Sequence, residues 1–160
     1  MRPTRSCEVY IDGASHGNPG PAGVGVVFLE TPAVSRQGAV DGKARPARQF
    51  YAYIGETTNN VAEYLALVYA LQEALIAGYT EVTIKTDSEL MARQVNGQYK
   101  VRDGHLRLLH GLALHVGRGF VRWRIEHIPR THNALADRLA GQAAKGGQGV
   151  WGEGYVRGTA

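Results

Sequence analysis

The stretch Cys7-Glu8-Val9-Tyr10-Ile11-Asp12-Gly13 decides how this chain is organised. Apolar residues occupy every second position, which is the period of a β-strand with one buried face. An aspartate follows the last of them, where the strand is expected to end. The pattern therefore predicts a strand over residues 7–13 that presents Asp12 at its carboxyl end.

Four more strands and four helices are predicted outward from that strand. The strands cover residues 23–30, 49–55, 80–86 and 120–128, and the helices cover 59–77, 88–95, 104–116 and 134–145. Residues 13–23 are turn-rich, and 31–46 are expected to form a long hairpin loop. Glycines dilute the second strand, which indicates that another backbone approaches it closely. The order β-β-β-α-β-α-α-β-α predicts an α/β fold, a five-stranded mixed sheet flanked by helices.

The composition fits one globular domain. The chain has 160 residues, of which 44% are hydrophobic and 20% charged, and it holds one cysteine, Cys7, which we expect to be buried. We divide it into an N-terminal extension (1–6), a main globular domain (7–145) and a Gly-rich tail (146–160). No run is long enough to cross a membrane and no secretory signal is visible, so we expect a cytoplasmic monomer without membrane contact.

The charge is distributed unevenly along the chain. Residues 1–87 carry 7 Lys and Arg against 9 Asp and Glu, whereas residues 88–160 carry 11 against 5. An acidic first part beside a basic second part suits a metal site next to a face that binds a polyanion. Ordinary solvated surface charge is the alternative reading of the same distribution.

Four acids stand out by their local settings, namely Asp12, Glu63, Asp87 and Asp137. Each has an ordinary explanation as a turn residue, a helix cap or a charge on a helix N-terminus. Taken together, two follow strands predicted to be buried and two begin helices that would pack on them. Buried carboxylates are costly unless they are paired or bound to metal. The four acids therefore predict a site for divalent cations. Many proteins use cations bound by carboxylates to hydrolyse phosphodiesters.

Five segments of the chain resemble type 1 ribonuclease H, in the bacterial or archaeal form without the basic protrusion. They occur in the order of that family and cover roughly residues 7–145. The matching segments are Tyr10-Ile11-Asp12-Gly13-Ala14-Ser15, Gly17-Asn18-Pro19-Gly20-Pro21-Ala22-Gly23, Thr57-Thr58-Asn59-Asn60-Val61-Ala62-Glu63-Tyr64, Thr86-Asp87-Ser88 and Asn133-Ala134-Leu135-Ala136-Asp137-Arg138-Leu139-Ala140.

The resemblance implies an endonuclease that cleaves the RNA strand of an RNA–DNA hybrid and leaves 5′-phosphate and 3′-hydroxyl ends. Asp12, Glu63, Asp87 and Asp137 would hold two Mg²⁺ ions, for which Mn²⁺ can substitute. One ion would activate a water, and the other would stabilise the departing 3′ oxygen. Hard cations of this kind prefer carboxylate oxygen ligands.

Substrate contacts follow from the same resemblance. Asn18, Asn59 and Asn60 match positions that touch minor-groove base edges and sugars, and Thr58 matches a residue that grips a phosphate of the DNA strand. The 2′-hydroxyl is the group by which a protein distinguishes RNA from DNA. Helix capping and turn formation are the alternative roles of these residues.

The chain departs from the family in two places. Residues 94–105 carry no basic cluster, so the DNA strand would be bound weakly or by arginines elsewhere, at positions 118, 122, 124 and 130. The connection before the last helix is short, and His132 is the nearest candidate there for a catalytic histidine.

A binding module without catalysis, or a DNA nuclease of the transposase or resolvase type, would use the same fold.

Overall fold

The computed structural model describes residues 3–30 and 45–146, with backbone alone for 45–47. Its strands are β1 Ser6–Ser15, β2 Gly20–Glu30, β3 Arg45–Thr57, β4 Glu81–Thr86 and β5 Arg122–His127. Its helices are α1 Asn59–Ile76, α2 Glu89–Val95, α3 Gly104–Gly117 and α4 Ala134–Gly146. This order confirms the sequence-based prediction. A 3-10 turn at Arg130–His132 was not predicted.

The strands form one mixed sheet in the order β3-β2-β1-β4-β5. β1, β2 and β3 pair antiparallel as successive hairpins. β4 lies between β1 and β5 and runs parallel to both. The predicted five-stranded mixed sheet is confirmed, and β1 is its central strand.

Helices pack on both faces of this sheet. α1 lies against β1 and β2 and carries α3 on its outer side, and α4 packs on β2, β1 and β3. Side chains of β1 and β2 point alternately to the two faces of the sheet. Val9 and Phe28 belong to the larger core, whereas Tyr10 and Val27 pack on the face covered by α4. Since side chains alternate along a strand, Asp12 shares the face of Tyr10.

Two glycines of β2 bring α4 close to the sheet. A Cβ atom on Gly25 would lie 2.3 Å from the carbonyl oxygen of Ala136, and one on Gly23 would lie 2.5 Å from the amide nitrogen of Ala144. No larger side chain fits at either position without moving the helix. The close backbone approach predicted for the second strand is confirmed.

The first hairpin is longer than predicted. β1 runs past Asp12 to Ser15, whose pairing partner in β2 is Ala22, and a positive φ of 98° at Gly17 belongs to the turn between them. The prediction that Asp12 ends its strand is therefore wrong, because the antiparallel partner β2 continues beside it.

Other boundaries differ less, and some lie outside the described residues. β3 begins at Arg45, so the last two residues of the predicted loop 31–46 belong to a strand. The rest of that loop, like residues 147–160 of the predicted tail, lies outside the described residues. The division into an extension, a catalytic domain and a tail stays a prediction.

Two expectations from composition can be compared with the structure. Cys7 is buried in the main core, as predicted, and its burial raises the pKa of the thiol to about 12. Among the helices described, none combines the length and the apolar character that a membrane crossing requires.

Candidate active site

Asp12 and Asp87 lie side by side because the parallel pairing of β1 and β4 stops just before them. The last paired residues are Ile11 and Thr86, and each aspartate is the next residue in the chain, Asp12 within β1 and Asp87 directly after β4. Asp12 is 6% exposed, and Asp87 is half-buried. The carboxyl end of a parallel strand pair is the usual place for a ligand in such sheets.

Glu63 joins these aspartates because α1 begins directly against β1. The helix is capped at Thr58, whose hydroxyl accepts a hydrogen bond from the amide of Val61 at 3.3 Å. A Cβ atom on Gly13 would lie 2.2 Å from the carbonyl carbon of Ala62 and 2.4 Å from the amide nitrogen of Glu63. Glycine at this position is therefore what allows the first turn of α1 to reach the end of the sheet.

Three carboxylates converge at this point. One oxygen from each of Asp12, Glu63 and Asp87 lies within 4.8 Å of the others. Mg²⁺ and Ca²⁺ take oxygen ligands about 2.0–2.6 Å from the ion, so such a triangle matches the distances across one cation. The donor set is all carboxylate, which suits a hard cation.

The surroundings of Asp12 disfavour its negative charge. Burial, the charge of Asp87, a hydrogen bond with Asp137 and the charge of Glu63 together raise the pKa of this carboxyl group to about 9, and burial contributes most. A group held in this way takes up a proton unless a cation compensates its charge. The pKa of Asp12 thus supports a site that is built for a positive ion.

The other two carboxylates are less perturbed because polar neighbours contact them. Burial raises the pKa of Glu63, and hydrogen bonds from Ser88 and Asn59 offset part of this rise. Burial likewise raises the pKa of Asp87, and the positive charge of Arg130 offsets part of it. The two groups therefore remain better suited than Asp12 to carry charge at neutral pH.

Asp137, the fourth predicted acid, lies beside the triangle. It is in the first turn of α4, where its amide donates to the carbonyl of Asn133 at 3.0 Å. Its side chain is 40% exposed and approaches the guanidinium of Arg130 at 3.5 Å. Through its hydrogen bond it also raises the pKa of Asp12. The structure thus brings all four predicted acids together, three in mutual contact range and one at the rim.

These side chains line an open cavity of about 360 Å³. Its lining includes the four acids together with Asn59 and Arg130. Arg130 was predicted only as one of several candidate contacts to the DNA strand, and its basic side chain in the short connection before α4 was the available signal. His132, two residues further on, is exposed and does not line this cavity. A catalytic role for His132 stays a prediction.

The predicted substrate residues surround the start of α1. The amide of Asn59 donates to Oδ1 of Asn18 at 3.0 Å, and Nδ2 of Asn59 donates to Oε1 of Glu63 at 3.2 Å. Asn18, Thr58 and Asn60 line a second, adjoining groove of about 660 Å³, whose far wall is the start of α3. The polar segment thus runs from the acid cluster to the neighbouring groove.

Asn133 is a site residue that was predicted only as a helix cap. It is 1% exposed, and its Nδ2 donates to the carbonyl of Ile11 at 2.8 Å, directly before Asp12. Its Oδ1 is buried without a hydrogen-bond partner among the described residues. An unsatisfied buried acceptor costs about 1–3 kcal/mol. No local pattern predicts this burial, since Asn before a helix is ordinarily an exposed cap.

Comparison with known proteins identifies similar chains. A family model described as "Reverse transcriptase-like" matches residues 10–143. The chain is 39% identical over 145 residues to ribonuclease HI of Halobacterium salinarum, with 89% of this chain and 67% of that protein covered. It is also 39% identical over 135 residues to a bifunctional protein of Mycobacterium tuberculosis, of which it spans only 34%.

Solved structures agree with these matches. The crystal structure of ribonuclease H1 from Halobacterium salinarum superposes with a TM-score of 0.76 at 37% identity, covering 88% of this chain and 98% of that one. A ribonuclease H1 named LC11, solved in complex with an RNA/DNA hybrid, superposes with a TM-score of 0.75 at 39% identity, covering 88% and 97%.

Proposed function

The chain belongs to the type 1 ribonuclease H family, and on that premise we propose that it hydrolyses the RNA strand of RNA–DNA hybrids. The observation that carries this proposal is the triangle of Asp12, Glu63 and Asp87, whose carboxylate oxygens lie within 4.8 Å of one another. The sequence similarity to a ribonuclease H1 solved with an RNA/DNA hybrid supports the same substrate. The products would carry 5′-phosphate and 3′-hydroxyl ends.

We propose Mg²⁺ as the cation, with Asp12, Glu63, Asp87 and Asp137 holding two ions. When bound, the ions would activate a water and stabilise the departing oxygen. The residues fit this group because their oxygens are hard ligands and because burial makes uncompensated charge on Asp12 unfavourable. Mn²⁺ prefers similar ligands and would substitute.

Asn18, Thr58, Asn59 and Asn60 would bind the hybrid. Their amide and hydroxyl groups offer both donors and acceptors, which a 2′-hydroxyl and a base edge require. The hydrogen bond from Asn59 to Glu63 links this polar segment to the acid cluster. An RNA strand bound by the segment would therefore lie at a defined distance from the cations.

Arg130 would provide the positive charge that faces the scissile region. Its guanidinium lines the acid cavity, is 79% exposed and is held near Asp137. Guanidinium groups bind phosphate oxygens through paired hydrogen bonds. We expect Arg130→Ala to raise the KM for the hybrid more than His132→Ala does. A loss of turnover in His132→Ala alone would support the catalytic role predicted for His132.

One experiment tests the proposed function. RNA–DNA hybrid, duplex DNA and duplex RNA are incubated with the protein in Mg²⁺ or in EDTA, beside Asp87→Asn and the control Glu81→Gln. Glu81 is the first residue of β4, at the end of the strand opposite to Asp87, where it accepts a hydrogen bond from the Ser6 hydroxyl at 3.3 Å. We expect cleavage of the hybrid that requires Mg²⁺, is lost in Asp87→Asn and persists in Glu81→Gln.

The same experiment discriminates the alternatives. Binding of the hybrid without cleavage by the wild-type protein would indicate a non-catalytic module. Equal cleavage of duplex DNA would indicate a DNA nuclease on this fold. Cleavage that persists in EDTA would contradict the role of the acids.

We also propose that the protein acts as a monomer in the cytoplasm and binds no membrane. A single buried thiol is compatible with a reducing compartment. Light scattering of the purified protein with and without hybrid measures the oligomeric state, and a mass of twice the chain would contradict the monomer.

A further inference from the structure

Asn133 is a buried polar residue that lies between the 3-10 turn and α4. Its backbone joins these two elements, since its amide donates to the carbonyl of Arg130 and its carbonyl accepts from the amide of Asp137, both at 3.0 Å. The side chain is 1% exposed, although asparagine is usually found at protein surfaces. Burial of its amide group therefore requires an explanation beyond helix capping.

The side chain of Asn133 reaches the point where β1 and β4 separate. Its Nδ2 donates to the carbonyl of Ile11 at 2.8 Å, across 122 positions of the sequence. On the neighbouring strand, the carbonyl of Thr86 accepts from the amide of Ile128 at 2.8 Å. The connection Ile128–Asn133 thus binds the last paired residue of each strand, directly before Asp12 and Asp87.

The same amide group also faces a carboxylate. The side chain of Asn133 is also hydrogen-bonded to the carboxylate of Asp87. One side chain therefore contacts the strand that carries Asp12 and the carboxylate of Asp87, while its backbone holds the turn that carries Asp137. No apolar residue could make the two side-chain contacts.

Stability alone does not account for asparagine here. Its Oδ1 is buried and finds no donor among the residues described, which costs free energy that an apolar side chain would avoid. A residue that serves only packing would be apolar at this depth. The retained amide is better explained by what its Nδ2 does for the acids.

We propose that Asn133 is a positioning residue that holds the carboxylates of Asp12 and Asp87 at the spacing required by a divalent cation, without contacting the substrate. This inference rests on the proposed function, since it concerns the same metal site. Residues that orient metal ligands through hydrogen bonds affect metal affinity about 10- to 100-fold when they are replaced.

The test compares Asn133→Leu and Asn133→Ala with the matched control Asn96→Leu. Nδ2 of Asn96 also contacts a strand carbonyl, that of Ile125 at 3.4 Å, but on β5 and away from the acids. Affinity for Mg²⁺ and for Ca²⁺ alone is measured by calorimetry, beside thermal unfolding and hybrid cleavage over a range of Mg²⁺ concentrations.

We expect both Asn133 variants to unfold cooperatively and to bind each cation at least about 10-fold more weakly, whereas Asn96→Leu binds as the wild type does. The Mg²⁺ concentration for half-maximal cleavage should rise by a similar factor, with a smaller loss of kcat at saturating Mg²⁺. A merely structural role would lower the unfolding temperature and leave the cation affinity of the folded protein unchanged.

Two outcomes would overturn this inference. Unchanged cation affinity in folded Asn133→Leu would show that the amide positions nothing, and failure of both variants to fold would show that its role is structural. Failure of the proposed function itself looks different, because the wild type would then neither bind Mg²⁺ nor cleave the hybrid.

Discussion

The two ends of the β1–β4 pair are built on opposite principles. At the amino end, the guanidinium of Arg5 makes three contacts. It donates to the carbonyl of Ala77 at 2.7 Å, forms an ion pair with Glu30 at 3.3 Å and lies 4.7 Å from the ring centre of Tyr79. Its carbonyl accepts from the amide of Thr80 at 2.9 Å. Every one of these contacts is favourable, so this end stabilises the fold.

At the carboxyl end, the same strands place like charges together. Asp12, Glu63 and Asp87 lie in mutual contact range, and burial raises the pKa of each. Helix α1 connects the two ends, since its first turn carries Glu63 and its C-terminal carbonyl of Ala77 is bound by Arg5. The clustered acids at the carboxyl end lower the stability of the fold. The contacts at the amino end contribute the stability that offsets this cost.

The largest expected effect is at the carboxyl end. Asp12→Asn removes a central ligand and should lower kcat on the hybrid by about a thousand-fold, because cation catalysis contributes several kcal/mol. The same change removes buried repulsion, so the variant should unfold at a higher temperature than the wild type in EDTA. Glu30→Gln at the opposite end is the control and should keep full activity. A fall in the unfolding temperature of Asp12→Asn would contradict the comparison.

The second-largest effect is expected on stability, at Gly13, where the absence of a side chain allows α1 to approach β1. Gly13→Ala would place a Cβ atom 2.2 Å from the backbone of Ala62, so we expect a loss of roughly 3 kcal/mol or more, with weaker cation binding as Glu63 moves. Gly111→Ala on α3 is the matched control, because no described residue outside its own stretch of helix lies within 4 Å of its added Cβ. That control should be stabilised by up to about 1 kcal/mol. Denaturant unfolding of both variants provides the measurement.

The pH dependence of stability should show a smaller effect for each pH unit. Burial and the neighbouring acids together raise the pKa of Asp12 from 3.8 to about 9 in the folded protein without cation. Below pH 4 this group is protonated in both states; between pH 4 and 9 the folded protein keeps a proton that the unfolded chain has released. Stability in EDTA should therefore fall as pH rises through this window, by at most about 1.4 kcal/mol per pH unit for one such proton.

Urea unfolding at a series of pH values checks this expectation. Saturating Mg²⁺ should flatten the fall, since the cation replaces the proton, and Asp12→Asn should flatten it in EDTA as well. A stability in EDTA that rises steadily from pH 5 to 8 would show that the cluster is not strained by its own charge.

The smallest effect is expected at the amino end. Arg5→Ala removes a hydrogen bond at the end of α1 and a contact with an aromatic ring, which together contribute about 1–2 kcal/mol, whereas its exposed ion pair adds little. The folded fraction should keep wild-type kcat and wild-type affinity for Mg²⁺. Reduced cation affinity in this variant would show that the two ends are not independent.

Much of the site could be predicted from the sequence because its residues follow local signals. Asp12 and Asp87 come after alternating apolar residues, and Asn59 and Glu63 stand at a helix start that Thr58 caps. Local patterns of this kind predicted the order of elements and the mixed sheet. They could not predict that β1 continues to Ser15, since this depends on its pairing with Ala22 of β2.

The sequence by itself determined which acids, strands and helices this protein has, because hydrophobic period and capping act over a few residues. Only the tertiary structure decided how they meet. Parallel pairing ends at Ile11 and Thr86, which places two aspartates together. Because Gly13 has no side chain, the first turn of α1 with Glu63 can approach β1. The side chain of Asn133, directly before α4, binds the carbonyl of Ile11 in β1, 122 positions away in the sequence. These contacts join residues far apart in the chain, and their distances are set by packing, which no local pattern records.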